Sequence, residues 1–571
     1  MKKLRGIVCL LLACLLLCGC TAGNEPQGSG ERDKENLLKI AYVPLDDRPN
    51  NAECMEYLAQ SLGYELTVPE RDLYATKLNN QPLNANGTPC GDRAAIYEWL
   101  LAQENSGCDR YIIFVDQLLS GGLVNSRAMS ENESVTLSDG SVLTESELLK
   151  DVIELLGGDE NNRVYLLDTV MRLAPTVGYK EWTKEDYTNV REWACVPRNE
   201  CELSPDAITE SYRTDVDGNE ILPADYDVSE ETLSLYLAAR ERKMQLGCEL
   251  LDEVGSSENV SILMGIDDSS EENCIQKNEI EYFESRLREN DALLSGVDDM
   301  GYKALARLYL DETGWQGSAA EVKYFGENED IPASAYDFRP LNEVIDAHFE
   351  YFDLRKSDDA ELCFMVLTAP KDEAQKEKYL ADFLDGINEA FEQKKAVVLM
   401  DASNCAYGDE LRNALIEDTE LGRLVAYAGT LDLANLTGVA LSHGISRYAL
   451  LKNGVETEYT KQGFELCMAD VLVKDLCYRT LVRAETAQLV RDMGGNPDNF
   501  CDPAVDVNAV MDFTAERMDK VTKPVLKNLS RSSLISSLAP YAESDWDGVK
   551  IADYEFSWLR TFELAVFFEL K

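Results

Sequence analysis

The side chains best suited to chemistry in this sequence are two adjacent carboxylates, Asp267 and Asp268, which directly follow the apolar run 261–266. Two neighbouring carboxylates do not ionise equally, so one can stay charged while the other holds a proton. Such a pair can cleave a glycosidic bond, because one carboxylate can orient the substrate's acetamido group while the other protonates the leaving oxygen. We therefore predict Asp267 and Asp268 as catalytic residues. Capping of the next helix is the structural alternative.

Other charged and amide side chains also follow short apolar runs. Runs of four to six apolar residues between helical stretches are typical of buried parallel strands. Ligands gather at the carboxyl ends of such strands, so we expect these side chains to share one cleft. Ion pairs, a tight loop and a helix cap are the structural alternatives for them. The predicted substrate-binding residues are Asp46, Asp47, Arg48, Asp116, Arg127, Asp168, Arg172, Asp401 and Asn404. Asn435 is predicted as a further one from the motif at 427–438, not from its place after a strand.

The chain has only two histidines, His348 and His443. A three-histidine zinc site cannot be formed from two residues, and any Ser-His-Asp triad would have to use one of them. We therefore expect carboxylates to act as the acids and bases, and the leading interpretation has no metal ligands and no cofactor. In an alternative interpretation the same carboxylates hold Mg²⁺ or Ca²⁺ for the hydrolysis of a phosphate or an ester.

The net charge of the chain indicates which classes of molecule it can bind. It has 54 Lys and Arg residues against 105 Asp and Glu residues, a formal net charge of -51. So acidic a protein is repelled by nucleic acid and by anionic lipid, which excludes both as expected partners. A carbohydrate or another small molecule is the expected substrate.

The first residues have the pattern of a bacterial lipoprotein signal. A basic start precedes the apolar run 7–17, and residues 17–20 read Leu-Cys-Gly-Cys, which matches a lipobox. We predict that residues 1–20 form the signal peptide, that Cys20 is lipidated, and that residues 21–36 form a flexible tether. The protein would then be extracytoplasmic and would contact the membrane only through its lipid anchor.

The alternation of apolar runs and helical patterns predicts an α/β domain over residues 37–455. A (β/α)8-like barrel is favoured by the number of predicted strands, and a doubly wound parallel sheet is the alternative. Residues 456–571 are predicted to form a C-terminal helical and β region, an appendage to that domain. The predicted strands of the α/β domain are 39–43, 65–68, 111–115, 164–167, 261–266, 321–325, 363–367, 396–400 and 424–427.

Several segments resemble motifs of the DUF4127 family, bacterial proteins of unassigned function. The resemblance covers nearly all of the chain after the signal peptide and implies one integrated domain, but it specifies no reaction. After Tyr427-Ala428-Gly429 the family usually has Trp-Asn-Thr, whereas this chain has Thr430-Leu431-Asp432. The segments that carry the resemblance are 42–50 (YVPLDDRPN), 120–127 (SGGLVNSR), 171–175 (MRLAP), 265–268 (GIDD), 427–429 with Asn435 and Gly438, and 560–563 (RTFE).

These observations predict an exported lipoprotein that hydrolyses glycosidic bonds in a glycan, for example one that contains N-acetylhexosamine. A metal-dependent phosphate or ester hydrolase is the second interpretation. A non-catalytic glycan-binding lipoprotein is the third. Turnover distinguishes both enzymes from the binding protein, and sensitivity to a chelator distinguishes the two enzymes.

Overall fold

Parallel strands in two open sheets form the framework of the protein. The computed structural model describes residues 37–571 except 181 and 430–434, so the predicted signal peptide, tether and lipidated Cys20 lie outside the described residues. In chain order the strands are β1 (Leu38–Val43), β2 (Tyr64–Thr67), β3 (Arg110–Phe114), β4 (Val135–Thr136), β5 (Val142–Leu143), β6 (Arg163–Val170), β7 (Val260–Ile266), β8 (Ala292–Ser295), β9 (Ser318–Phe325), β10 (Leu354–Lys356), β11 (Leu362–Thr368), β12 (Ala396–Ala402), β13 (Leu424–Gly429), β14 (Ser533–Leu538), β15 (Tyr541–Asp545), β16 (Val549–Phe556) and β17 (Leu564–Leu570).

The two sheets correct the prediction of a (β/α)8-like barrel. The first sheet has the order β2-β1-β3-β6-β7-β8 and the second has the order β10-β9-β11-β12-β13, and neither closes on itself within the described residues. All pairs in both sheets are parallel. In each sheet the second strand lies outside the first and the third lies on the other side, which is the doubly wound order. The doubly wound alternative therefore describes each sheet.

Helices cover both faces of each sheet, and one set of helices lies between the sheets. Apolar residues from both sheets and from the helices Glu53–Ser61, Met300–Glu312, Leu341–Tyr351 and Leu436–Asn453 form this shared central core. Two further cores cover the outer faces of the sheets. The other helices of the two α/β halves are Arg93–Asn105, Val115–Ser120, Leu123–Ser126, Glu145–Gly157, Lys184–Ala194, Pro205–Ser211, Glu230–Val254, Lys277–Arg286, Lys376–Glu392 and Gly408–Asp418.

Strand β1 shows why the apolar runs are continuous. Its residues Ile40 and Tyr42 lie in the central core, whereas Ala41 and Val43 lie in the outer core of the first sheet. Successive side chains of a strand point to opposite faces, so a strand with helices on both faces must be apolar at every position. The polar residues that follow β1 therefore mark the edge of the sheet.

The C-terminal region consists of helices and two antiparallel hairpins, as predicted for the appendage. The helix Glu458–Val471 continues through a π-helical segment, Leu472–Val482, into the helix Arg483–Asp492. The helix Val507–Leu529 precedes the β14–β15 and β16–β17 hairpins. Residues 38–571 form one compact unit. Among the residues that the structure describes, none of the helices combines the length and the apolar character needed to cross a membrane.

Candidate functional site

A cavity of about 320 Å³ lies at the carboxyl end of the first sheet. It is lined by Arg48 after β1, Arg127 after β3, Arg172 after β6, and Asp267 with Asp268 after β7. The order of this sheet reverses between β1 and β3, and ligands of doubly wound proteins bind at such a reversal. The C-terminal segment 557–563 lines the cavity as well. We call this cavity the strand-end pocket.

A buried ion pair fixes Asp267 in the strand-end pocket. The Nε of Arg127 donates a hydrogen bond to Oδ2 of Asp267 at 2.8 Å, and Nη2 donates a second one to the same oxygen. Gly121 and Gly122, with φ of 73° and 125°, form the turn that leads to Arg127, and both values favour glycine. Burial, opposed by the Arg127 guanidinium, raises the pKa of the Asp267 carboxyl.

Asp268 has a different environment from its neighbour. Its side chain is 26% exposed, and its contact with a cation is 3.3 Å from Oδ2 to Nη1 of Arg172. The Arg172 guanidinium also donates to the carbonyl oxygens of Ala174 and Pro175, each at 2.8 Å. Asp268 is therefore the more accessible of the two carboxylates, whereas Asp267 is buried and held by two donors.

Neither pair of predicted strand-end residues caps a helix. The helix that follows Asp268 begins after Gln276, and the helix that follows Asp401 begins after Tyr407. Asp401 instead accepts hydrogen bonds from the backbone N–H of Ser403 at 3.1 Å and from its hydroxyl at 2.6 Å. The helix-cap alternatives are thus wrong at both positions.

Arg48 joins the loop after β1 to the loop after β8. It donates to Asp46, with Nη2 to Oδ2 at 2.8 Å, and to Asp298, with Nη1 to Oδ2 at 2.7 Å. Its Cζ lies 4.9 Å from the centroid of the Trp558 ring. The ion pair with Asp46, which was the structural alternative for Arg48, is therefore present. Asp46 itself is fully buried and does not line the pocket.

Asp116 and Asp168 lie outside the strand-end pocket, which corrects the prediction of one shared cleft. Both carboxylates bind the ammonium group of Lys243, with 2.8 Å from Nζ to Oδ1 of Asp116. Asp168 lies inside β6, two residues before its end, so its side chain reaches the helix on the sheet face. Asp116 lies in a helix that begins directly after β3. These two residues therefore form a buried structural ion pair with Lys243.

Three of the predicted residues follow β11 in the chain, and only one of them lines the strand-end pocket. Asp401 is the last residue but one of β12 in the second sheet, Asn404 follows that strand, and neither lines the strand-end pocket. Asn435 does line it, and its Oδ1 accepts the backbone N–H groups of Val297 and Asp298, each at 3.0 Å. Asn435 thereby holds the loop that presents Asp298 to Arg48. The apolar runs themselves contain no signal that assigns β12 to another sheet.

Sequence reasoning missed several residues of the strand-end pocket. Most of these residues belong to the C-terminal region. The sequence did not indicate that this region lies beside the strand ends of the first sheet. The motif 560–563 was a signal for two of them, because it is one of the segments that carry the family resemblance. The missed residues include Asp298, Arg483, Asp498, Trp558, Arg560 and Glu563.

Two of the missed residues have unsatisfied polar atoms. Oε2 of Glu563 and Nε of Arg560 are buried and have no hydrogen-bond partner among the described residues. Burial raises the pKa of the Glu563 carboxyl. Polar atoms of this kind are uncommon inside proteins and are expected where a ligand or water completes the site. Within the described part of the chain, no three His, Cys, Asp or Glu side chains are grouped as metal ligands would be.

Comparison with known protein families gave one match. A family model described as "Protein of unknown function (DUF4127)" matches residues 40–566. No curated protein and no solved structure matches the chain. The match extends from within β1 to within β17, so the strand-end pocket and the residues that complete it lie within the matched region.

Proposed function

The chain belongs to the DUF4127 family, and because that family has no assigned function, we propose from the site itself that the protein is a glycoside hydrolase. The observation that carries the proposal is the pair Asp267 and Asp268, which line one pocket in unequal environments. Glycosidases use two carboxylates with different tasks, and different surroundings assign those tasks.

The contacts of each carboxylate support a specific role. Asp267 accepts two hydrogen bonds from Arg127, and these favour its anionic form against the effect of burial. An anion fixed in this way can orient the acetamido group of a substrate and stabilise the positive charge that develops in the transition state. Asp268 is more exposed to the pocket, so it is the residue assigned to protonate the leaving oxygen.

The side chains that line the pocket support a small saccharide as substrate. Tyr187, Tyr336 and Phe562 contribute aromatic rings to its wall, and such rings bind the apolar face of a sugar while hydroxyl groups reach charged neighbours. The metal-dependent alternative is less well supported, because Asp267, Asp268 and Asp298 are each held by an arginine, and the described carboxylates are not grouped for Mg²⁺ or Ca²⁺.

Anchoring through Cys20 remains part of the proposal. The lipid would hold the protein at the outer face of the cell membrane, and residues 21–36 would separate the folded part from the lipid surface. This location suits a substrate in the cell envelope or in the surroundings of the cell. No cofactor is needed for the proposed reaction.

Turnover of aryl glycosides tests the proposal. The full chain would be incubated with 4-nitrophenyl glycosides of N-acetylhexosamines and of uronic acids, with and without EDTA. We expect release of nitrophenol that is insensitive to EDTA. The double variant Asp267→Asn/Asp268→Asn should lose this activity, whereas Asp358→Asn, at an exposed position outside the pocket, should keep it.

The other outcomes identify the alternatives. Activity that EDTA abolishes and Mg²⁺ or Ca²⁺ restores would favour the metal-dependent hydrolase. Saturable binding of saccharides without turnover of any glycoside would favour the non-catalytic binding protein. Equal activity of the wild type and the double variant would leave the two aspartates without a catalytic role.

A further inference from the structure

The strand-end pocket is rich in basic groups although the chain is strongly acidic. Six basic side chains line it against five acidic ones, in a protein with a formal net charge of -51. Ion pairs neutralise three of the basic groups: Arg48 with Asp298, Arg127 with Asp267, and Arg172 with Asp268. Lys184, Arg483 and Arg560 then remain against Asp498 and Glu563, which leaves an excess of one positive charge in the wall.

Arg560 and Arg483 are two of the three basic groups that remain after these pairs are counted. Neither guanidinium group forms a hydrogen bond or an ion pair with any residue that the structure describes. Arg483 lies over the ring of Phe562, with 4.4 Å from its Cζ to the ring centroid. Burial lowers the pKa of both arginines, although Asp498 attracts each of them and Glu563 attracts Arg560, all from more than ion-pair distance. Two partly buried cations without a paired anion are unfavourable unless a ligand supplies one.

The backbone around Arg560 fixes its position in the wall. Trp558 and Leu559 have φ of 55° and 47°, values that are rare for residues other than glycine. The next residue, Thr561, donates its N–H to the carbonyl oxygen of Pro497 at 2.9 Å and accepts the hydroxyl of Tyr478 at 2.7 Å. Strained backbone of this kind is concentrated at ligand-binding sites.

We propose that Arg560 and Arg483 form an anion-binding subsite of the strand-end pocket, which selects saccharides that carry a carboxylate, phosphate or sulfate group. The inference rests on the proposed function for the saccharide part of the ligand. Guanidinium groups bind all three anions through paired hydrogen bonds. The unpaired Nε of Arg560 supplies one donor of such a pair.

Binding to the variant Asp268→Asn tests the subsite without turnover. Isothermal titration calorimetry on the full chain would compare glucuronic acid, glucose 6-phosphate and glucose 6-sulfate with glucose. A charge-assisted hydrogen bond makes about a tenfold or larger difference in affinity, so we expect at least one acidic sugar to bind about tenfold more tightly than glucose. The acidic sugar that binds most tightly identifies the anion. Added salt should weaken its binding and leave that of glucose unchanged.

Three further substitutions, each made in the Asp268→Asn chain, assign the effect to the proposed residues. Arg560→Gln should remove the preference for the acidic sugar, and Arg483→Gln should reduce it. Arg355→Gln, at an exposed position on β10, is the matched control and should preserve it. Thermal unfolding of each variant would show that it is folded. Equal affinity for acidic and neutral sugars, or an unchanged preference in folded Arg560→Gln, would overturn the subsite.

The subsite and the proposed reaction fail in different experiments. Selective binding of an acidic sugar together with no turnover of any glycoside would support the subsite and reject the hydrolase. Turnover of neutral glycosides with no preference for acidic ones would support the hydrolase and reject the subsite.

Discussion

The indole Nε1 of Trp558 donates a hydrogen bond to Oδ1 of Asp47 over 2.7 Å, and 511 positions of the chain separate the two residues. Asp47 follows β1, whereas Trp558 belongs to the short turn between the last two strands. The same oxygen of Asp47 accepts the backbone N–H of Thr76 at 3.0 Å. A hydrogen bond therefore connects the C-terminal region to the loop after β1, and both segments contribute to the wall of the strand-end pocket.

Replacement of Trp558 by Phe should reduce the free energy of unfolding by about 1–3 kcal/mol, because it leaves a buried carboxylate without one of its donors. Asp47 is 4% exposed, so water cannot readily replace the indole N–H. Urea unfolding measures the change. Trp99→Phe is the control, since Trp99 is only partly buried and packs against the outer core. Equal losses in the two variants would contradict a specific role for the Asp47 bond.

The ion pairs of Lys243 are expected to be structural. Lys243→Met leaves Asp116 and Asp168 buried without their cation and should cost about 3–5 kcal/mol of stability. Lys150→Met, which breaks an exposed pair with Glu154 at 3.7 Å, should cost less than about 1 kcal/mol. Chemical denaturation of both variants measures the difference. A small loss in Lys243→Met would mean that the two carboxylates are protonated or solvated in the folded protein.

Both histidines should make the protein less stable in acid. Burial lowers the pKa of His348 and of His443 to about 3. Below the unfolded value of about 6.5 the unfolded chain binds protons that the folded chain does not, so stability falls as pH decreases toward about 3. Each histidine contributes a slope of up to about 1.4 kcal/mol per pH unit in this range.

The variant His443→Gln isolates one of these contributions. The difference in unfolding free energy between wild type and variant should be constant above about pH 7.5, where both histidines are neutral. Between about pH 6 and pH 4 the wild type should lose stability relative to the variant as pH falls. Other groups, such as Asp299 with its pKa raised by burial to about 6, cancel in this difference. A difference that does not vary with pH would show that His443 is not buried in neutral form.

The sequence predicted the strands better than their assembly. All nine predicted strands of the α/β region are present, and most of them are apolar runs bounded by polar residues. The short edge strands β8 and β10 were missed, since four and three residues carry little periodic signal. The division into two sheets could not be predicted, because it depends on which strands pair and not on the composition of each strand.

The residues of the candidate site could likewise be predicted only where local sequence determines their position. The pair Asp267 and Asp268 was recognisable because it directly follows an apolar run, and both residues line the pocket. Asp168 has a similar sequence context but lies inside its strand, since β6 continues through Thr169 and Val170. Arg560 could not be placed at all from periodicity, because its position depends on contacts between distant parts of the chain.

Membrane attachment should depend on Cys20. Cys20→Ala removes the thiol that the predicted lipobox would lipidate, so the protein should move from the membrane fraction to the soluble or unprocessed pool. Cys18→Ala, two residues earlier in the same motif, is the matched control and should leave the protein in the membrane fraction. Fractionation followed by immunoblotting measures both. Unchanged membrane association of Cys20→Ala would reject the lipid anchor.

Arg127 should set the acidic limit of the proposed reaction. Its guanidinium opposes the effect of burial on Asp267, so Arg127→Gln should raise the pKa of that carboxyl further. A carboxyl with a raised pKa becomes protonated at higher pH, and the anionic form that the reaction needs is then lost earlier as pH falls. The acidic limb of the kcat/KM profile should therefore move to higher pH, while activity at alkaline pH is better preserved.

Two comparisons separate this effect from a general loss of structure. Arg127→Lys keeps the positive charge but not the paired donors, so its profile should lie between those of the wild type and Arg127→Gln. A merely misfolded variant would lose activity equally at every pH. If both variants keep the wild-type profile, Asp267 does not need its anionic form for turnover, and the role assigned to it in the reaction is wrong.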